Sequence, residues 1–141
     1  MYSKKRFGYL LTEKTSIYVK PEDIYIEEGG LTAHFDCQAR SDDSTPVTIS
    51  WYRVYEYGDI SDERVRNIPH RVIIDSDYSL TFTVDNYTDW VQYRGRYRCE
   101  ATNGYSTDSA EASLDANDLP LPLRKSFGCC GLNLTYYGFY V

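Results

Sequence analysis

The residues of this chain best placed to do chemistry are its cysteines, Cys37, Cys99, Cys129 and Cys130. Trp51 follows the first of them, and Gly95-Arg96-Tyr97-Arg98 leads into Cys99. In this order the residues predict a β-sandwich whose two sheets are joined by a Cys37–Cys99 disulfide. Trp51 would pack on the bridge, and Tyr97, two residues before the second cysteine, would close the corner where one sheet passes to the other. Closing the loop between the two cysteines would stabilise the fold by roughly 4 kcal/mol in the chain-entropy model. Such a bond persists in an oxidising compartment. The adjacent Cys129-Cys130 match neither a zinc spacing nor a Cys-x-x-Cys redox pair, and they fall outside this framework.

Other reactive constellations are missing from the sequence. It contains no Gly-x-Ser-x-Gly elbow, no His-Glu-x-x-His pair and no phosphate-binding glycine loop. His34 reads as a surface histidine beside Asp36. Asp75-Ser76-Asp77 and Asp59-Ile60-Ser61-Asp62-Glu63 lack the ligand order and glycine of a calcium loop, and they read as turns. The expectation is therefore no catalytic residue, no metal, no cofactor and no small-molecule substrate: a non-enzyme. A net charge of −6 without a basic stripe argues against a nucleic-acid partner. Fifteen tyrosines against one methionine suit strands and contact surfaces.

Short alternating segments between turn signals position these residues, the pattern of an all-β fold. Strands are predicted near Ser16–Lys20 and Ile24–Glu27, with Pro21 at a switch between sheets. A continuous strand from Leu31 to Ala39 would turn Leu31, Ala33, Phe35, Cys37 and Ala39 inward. Val47, Ile49 and Trp51 form the inward set of the next strand, with Tyr52 outside. Between Tyr52 and Asp77 the pattern is irregular, with Gly58-Asp59 as a turn signal and Val72-Ile73-Ile74 as an edge strand. Leu80, Phe82 and Val84 alternate inward, as do Tyr97, Cys99 and Ala101. Asn103-Gly104, both tolerant of positive φ, predicts a hairpin turn into Ser106–Ala116. Ser50, Tyr52, Arg98 and Glu100 share one outer face, and Tyr52, Arg98 and Glu100 are candidate protein-binding residues. The alternative for that face is a solvated surface with cross-strand charge pairs. Asn86-Tyr87-Thr88 is an N-glycosylation sequon at a strand end, and Asn133-Leu134-Thr135 is another in the tail.

With these strands placed, residues 15–117 resemble an immunoglobulin domain of the intermediate set, on Cys37, Trp51, Leu80, Gly95, Tyr97 and Cys99 and the Glu28-Gly29 turn. The segments 35–39, 46–51, 101–103 and 108–110 are similar to the membrane-proximal immunoglobulin domain of the neuroglian and neurofascin type of neural adhesion molecules. The resemblance implies an immunoglobulin-like β-sandwich of two antiparallel sheets, followed in that family by fibronectin repeats across a proline-containing linker. One departure stands out. The family carries an aspartate two residues before the corner glycine, where it pairs with a basic residue at the edge of the opposite sheet. Tyr93 stands there in this chain, and the connection from Val84 to Gly95 is about two residues longer than usual. The expected corner ion pair would be absent, with Trp90 or Tyr93 packing in its place.

The organisation read from the sequence is an N-terminal extension at 1–14, the domain at 15–117, a polyproline-like linker at 118–125 and an uncharged tail at 126–141. The apolar run Phe7–Leu11 is shorter than the signal-peptide core of about 7–15 residues. No stretch reaches the ~18 apolar residues of a membrane span. A disulfide-type domain without an export signal suggests a piece of a longer secreted or membrane-anchored protein. The functional expectation is an extracellular cell-adhesion module at the plasma membrane, with cell–cell adhesion and axon guidance implied by the resemblance. Its partners would be proteins, bound homophilically or heterophilically, and the membrane would be reached only through other parts of the molecule. The rival is an intracellular structural immunoglobulin domain of a muscle scaffold, in which the two cysteines stay reduced.

Overall fold

The computed structural model describes residues 14–56 and 60–117. The linker, the tail with Cys129, Cys130 and Asn133, nearly all of the N-terminal extension and the Gly58-Asp59 turn lie outside the described residues.

Ten strands lie among the described residues: β1 (Thr15–Val19), β2 (Ile24–Ile26), β3 (Thr32–Phe35), β4 (Gln38–Ser41), β5 (Thr48–Val54), β6 (Glu63–Arg64), β7 (Val72–Ile74), β8 (Leu80–Thr83), β9 (Gly95–Thr102) and β10 (Thr107–Ala116). One layer is a five-stranded sheet in the order β2-β10-β9-β5-β6. Facing it are a three-stranded sheet, β3-β8-β7, and the β1-β4 pair. The all-β immunoglobulin-like sandwich expected from the sequence is the fold observed. The switch at Pro21 is also present: β1 pairs antiparallel with β4, whereas β2 runs parallel to β10 in the other sheet.

Alternation builds the core. Ile49 and Trp51 from β5, Leu80 and Phe82 from β8, Tyr97, Cys99 and Ala101 from β9, and Ala112 and Leu114 from β10 are all buried. Their neighbours along each strand stay wetter, as a period of two requires. Phe35 lies at the centre, with its ring centroid 5.9 Å from Trp51, 5.8 Å from Tyr97 and 6.5 Å from Phe82.

Two local expectations are corrected, both in the segment from Leu31 to Ala39. The strand predicted from Leu31 to Ala39 is broken at Asp36-Cys37, because β3 pairs β8 while β4 pairs β1. Ala33, Phe35 and Cys37 are buried, but Leu31 stays 41% exposed because it precedes the first paired residue, Thr32. The hairpin turn expected at Asn103-Gly104 joins β9 to β10, with Gly104 at a positive φ of 93°. Asn103 is buried, its side-chain oxygen accepting the N–H groups of Tyr105 and Ser106 and its amide donating to Ser41 Oγ. The connection from Val84 to Gly95, longer than usual for such a domain, contains a 3-10 helix, Tyr87–Gln92.

Candidate protein-binding site

Strand phase sets the geometry around the disulfide. Cys99 points inward from β9 opposite Trp51, and Cys37 reaches it from the break between β3 and β4. The cysteine sulfurs are bonded, with Cα atoms 6.6 Å apart and no solvent exposure. The Trp51 indole N–H donates to the Tyr78 carbonyl at 2.7 Å, so its single polar atom is satisfied inside the core.

At the corner, the Tyr97 hydroxyl donates to the Tyr93 carbonyl at 2.5 Å. Burial pushes the phenol up to about 12, the nearby Arg53 guanidinium opposing that shift. Gly95 has φ 152°, and a Cβ there would come within 3.2 Å of Arg53 Nη2. Arg53 needs that space, because its guanidinium donates to the carbonyls of Gln92 at 2.7 Å and Arg94 at 2.6 Å. Trp90 is buried and donates its indole N–H to Gly30 O at 2.9 Å, while Tyr93 packs on Phe82 at 5.3 Å and on Trp90 at 6.3 Å. The aromatic packing expected in place of the corner aspartate is therefore present. A different edge ion pair is present as well, Arg71 with Asp85 at 2.8 Å, the acid standing at the start of the longer connection.

The outer face of the five-stranded sheet carries the candidate binding residues. Strand register places Arg64, Tyr52, Arg98 and Glu111 in one row across β6, β5, β9 and β10. The Arg98 guanidinium lies over the Tyr52 ring, 5.0 Å from its centroid. It also meets Asp62 at 2.5 Å and Glu100 at 3.2 Å. The Asp62 carboxyl is held below its ordinary range, first by its hydrogen bond from Arg98. Tyr52, Arg98 and Glu100 thus come together as one half-buried cluster, in which Arg98 has carboxylate partners on both sides. Asp62 completes that cluster; in the sequence it is a turn residue, with no signal of this role. Arg96 pairs with Glu111 and Arg94 with Asp115, both at 2.9 Å.

The remaining candidates fall elsewhere. Asn86 is exposed and opens the 3-10 helix, where its N–H meets the Asp89 carboxylate at 3.3 Å. His34 stands on the other sheet, hydrogen-bonded to Thr81 at 2.9 Å with Asp36 at 3.5 Å. Asp77 accepts both the hydroxyl and the N–H of Ser79, the work of a turn. Among the described residues no group of acids, histidines and cysteines could hold a metal ion, and no helix is long and apolar enough to cross a membrane.

The family model for the immunoglobulin domain matches residues 14–103. The chain belongs to the immunoglobulin domain family. No curated protein matches this immunoglobulin domain in sequence. Solved structures do. A chain from a mutant complex of titin M10 with obscurin-like 1 Ig aligns at 20% identity over 72% of this domain's chain and 91% of its own, with a TM-score of 0.53. Extracellular domains 3–5 of Drosophila OTK align at 20% identity over 78% of this chain with a TM-score of 0.54. This chain spans 34% of that OTK fragment. A Dscam structure concerned with isoform specificity aligns at 22% identity, a TM-score of 0.52, and 69% and 22% coverage of the two chains. At these identities the likeness shows the fold, which the titin complex, the OTK extracellular domains and the Dscam structure share.

Proposed function

We propose that this immunoglobulin domain is an extracellular protein-binding module of a cell-adhesion receptor, of the intermediate set and of the neuroglian and neurofascin type. Cell–cell adhesion and axon guidance are the processes that resemblance implies. The observation that carries the reading is the closed Cys37–Cys99 bond. A disulfide in the centre of the core fits a domain matured in an oxidising compartment. The extracellular domains of OTK and the Dscam structure among its structural neighbours are consistent with it. Exposed Asn86 offers the sequon to a glycosylating enzyme in the same compartment.

Binding would use the outer face of the five-stranded sheet. Tyr52 and Arg98 are aromatic and guanidinium anchors of the kind that dominate interfaces, and the carboxylates of Asp62 and Glu100 hold Arg98 before any partner arrives. Preorganisation of this sort lowers the entropy lost on association. Tyr52→Ala should weaken homophilic or heterophilic binding by about 1–2 kcal/mol. Unchanged affinity, measured by calorimetry against the partner captured on cells, would remove Tyr52 from the interface.

The titin neighbours favour a second reading, an intracellular structural domain of a muscle scaffold. Blocking free thiols in the protein's own cells before lysis, then digesting without reductant, separates the two. A linked Cys37–Cys99 peptide and a glycan on Asn86 are expected. Two alkylated cysteines would overturn the extracellular assignment.

A further inference from the structure

The arginines of the described residues are almost all committed. Arg71, Arg94, Arg96 and Arg98 have carboxylate partners, Arg53 holds two carbonyls, and Arg40 lies over the Tyr18 ring. Arg64 and Arg66 are the exceptions: both are exposed and neither has an acidic partner among the described residues. Glu63 next to them accepts instead from the Tyr55 hydroxyl at 3.0 Å. Val65 between the two arginines turns inward, its N–H bonded to Trp51 O at 2.9 Å. Among the described residues, the segment therefore presents two guanidinium groups without an acidic partner on either side of an inward anchor.

These arginines stand on the rim of a groove of about 670 Å³ at the side of the sandwich, between the edges β6 and β7. Its floor is apolar and aromatic, with Val65, Ile68, Phe82 and Tyr93. Ile68 is 48% exposed there. A volume in this range, an apolar floor and a few charged groups are the usual make-up of a recognition pocket.

The outward N–H donors of β7 are already engaged. Ile68 and Val72 exchange N–H···O bonds at 2.8 and 2.9 Å, and the Ile74 N–H donates to the Asn67 side chain at 2.8 Å. A partner adding a strand to β7 would find these donors taken. What the groove can receive is a side chain.

We propose that this groove docks an aromatic or aliphatic side chain of a partner protein, flanked in that partner by carboxylates which pair with Arg64 and Arg66. A peptide fits better than a long sulfated polysaccharide for two reasons. A polyanion would leave the apolar floor unused, and it would run along a chain whose net charge is −6. A short acidic motif meets the arginine pair locally, where charge-assisted bonds to guanidinium are strong. The groove adjoins the outer face already assigned to binding, since Arg64 is the cross-strand neighbour of Tyr52. The inference rests on reading the domain as a protein-binding module. It does not depend on the compartment, so thiol mapping and the experiment below can fail separately.

The test uses the full chain, labelled with nitrogen-15, and a panel of fluorescent peptides with one Phe, Leu or Trp among glutamates. Expected are saturable binding, amide shifts centred on Val65–Ile68 and Tyr93, and at least about a tenfold loss of affinity in the double variant Arg64→Glu with Arg66→Glu. Ile68→Ser should weaken binding without altering its salt dependence. Lys14→Glu with Lys20→Glu makes the same charge change elsewhere, and it should leave affinity within about twofold at moderate salt. Equal losses in the two double variants would overturn the proposal, as would shifts centred elsewhere or no binding by about 1 mM peptide. So would capture of heparin oligosaccharides by Arg64 and Arg66 with no peptide binding.

Discussion

Tyr97 carries a phenol into the core and gives it one hydrogen bond, to the Tyr93 carbonyl. Burial raises its pKa to about 12, because a phenolate at that place would lose its hydration. The folded value exceeds the unfolded value near 10. Its contribution is therefore complete below about pH 10 and lost as pH rises through about 12. Tyr97→Phe should lower unfolding free energy by about 1–2 kcal/mol at neutral pH, by leaving a carbonyl unpaired. It should also flatten the alkaline limb of urea midpoints measured against pH; a limb as steep as the parent's would assign that dependence to other tyrosines. Asp43 has the opposite sign. Its carboxyl is held down to about 2, first by the Thr45 hydroxyl and then by Ser41. That contribution is present above the ordinary value of 3.8 and disappears as pH falls through about 2. Asp43→Asn should then be less stable than the parent at pH 7 and indistinguishable from it near pH 2, read by thermal unfolding. Tyr97, Trp51 and the cysteines were legible in the sequence because their type and spacing carry the information. The Asn103 and Arg53 contacts were not, since Ser41 reaches the first, and the Gln92 and Arg94 carbonyls the second, only in the folded chain; Asp43 instead takes its bonds from Ser41 and Thr45, two residues away on either side.

Elements divide along the same line. β5, β8, β9 and β10 alternate strictly and are flanked by turn residues, so their inward sets could be read from the sequence. β6 is two residues long and pairs only with Tyr52 and Arg53, too short for any periodicity to show. The break between β3 and β4 was hidden for another reason: Ala33, Phe35 and Cys37 keep their phase across it, and only the change of pairing partner separates the strands. The 3-10 helix at Tyr87–Gln92 is held mainly from outside. Trp90 fills the core beneath it and reaches Gly30 O, and the Tyr87 hydroxyl donates to Asn117 O at 2.6 Å. Trp90→Ala should cost about 3–5 kcal/mol, the range for emptying a buried aromatic site. Hydrogen exchange adds an element-level reading: protection should fall first over residues 87–94 and only later in β9. Uniform loss across both sheets would mean that the helix and the core unfold as one unit. The candidate binding row was legible only in part, since alternation placed Tyr52, Arg98 and Glu100 outward but could not bring Asp62 to Arg98 from a distant turn.

For the whole molecule, stability and compartment are linked through one covalent bond. The disulfide joins the two layers through a loop of 62 residues, and in the chain-entropy model a loop of that size restricts the unfolded chain by roughly 4 kcal/mol. The native contacts around it do not require the bond to exist: Phe35, Trp51, Leu80 and Tyr97 are buried by alternation and by their own packing. The double variant Cys37→Ala with Cys99→Ala should therefore keep the fold, with a far-ultraviolet spectrum like the parent's, and lose about 2–5 kcal/mol. Reductant provides the internal control. It should lower the urea midpoint of the parent to near that of the double variant and leave the variant itself unmoved. A domain of this size has only about 5–15 kcal/mol to lose, so a reducing compartment would remove a large share of its stability. If reductant left the parent's midpoint unchanged, the bridge would contribute little. The core would then be sufficient without an oxidising environment, and the balance would move toward a scaffold domain that works with its thiols free.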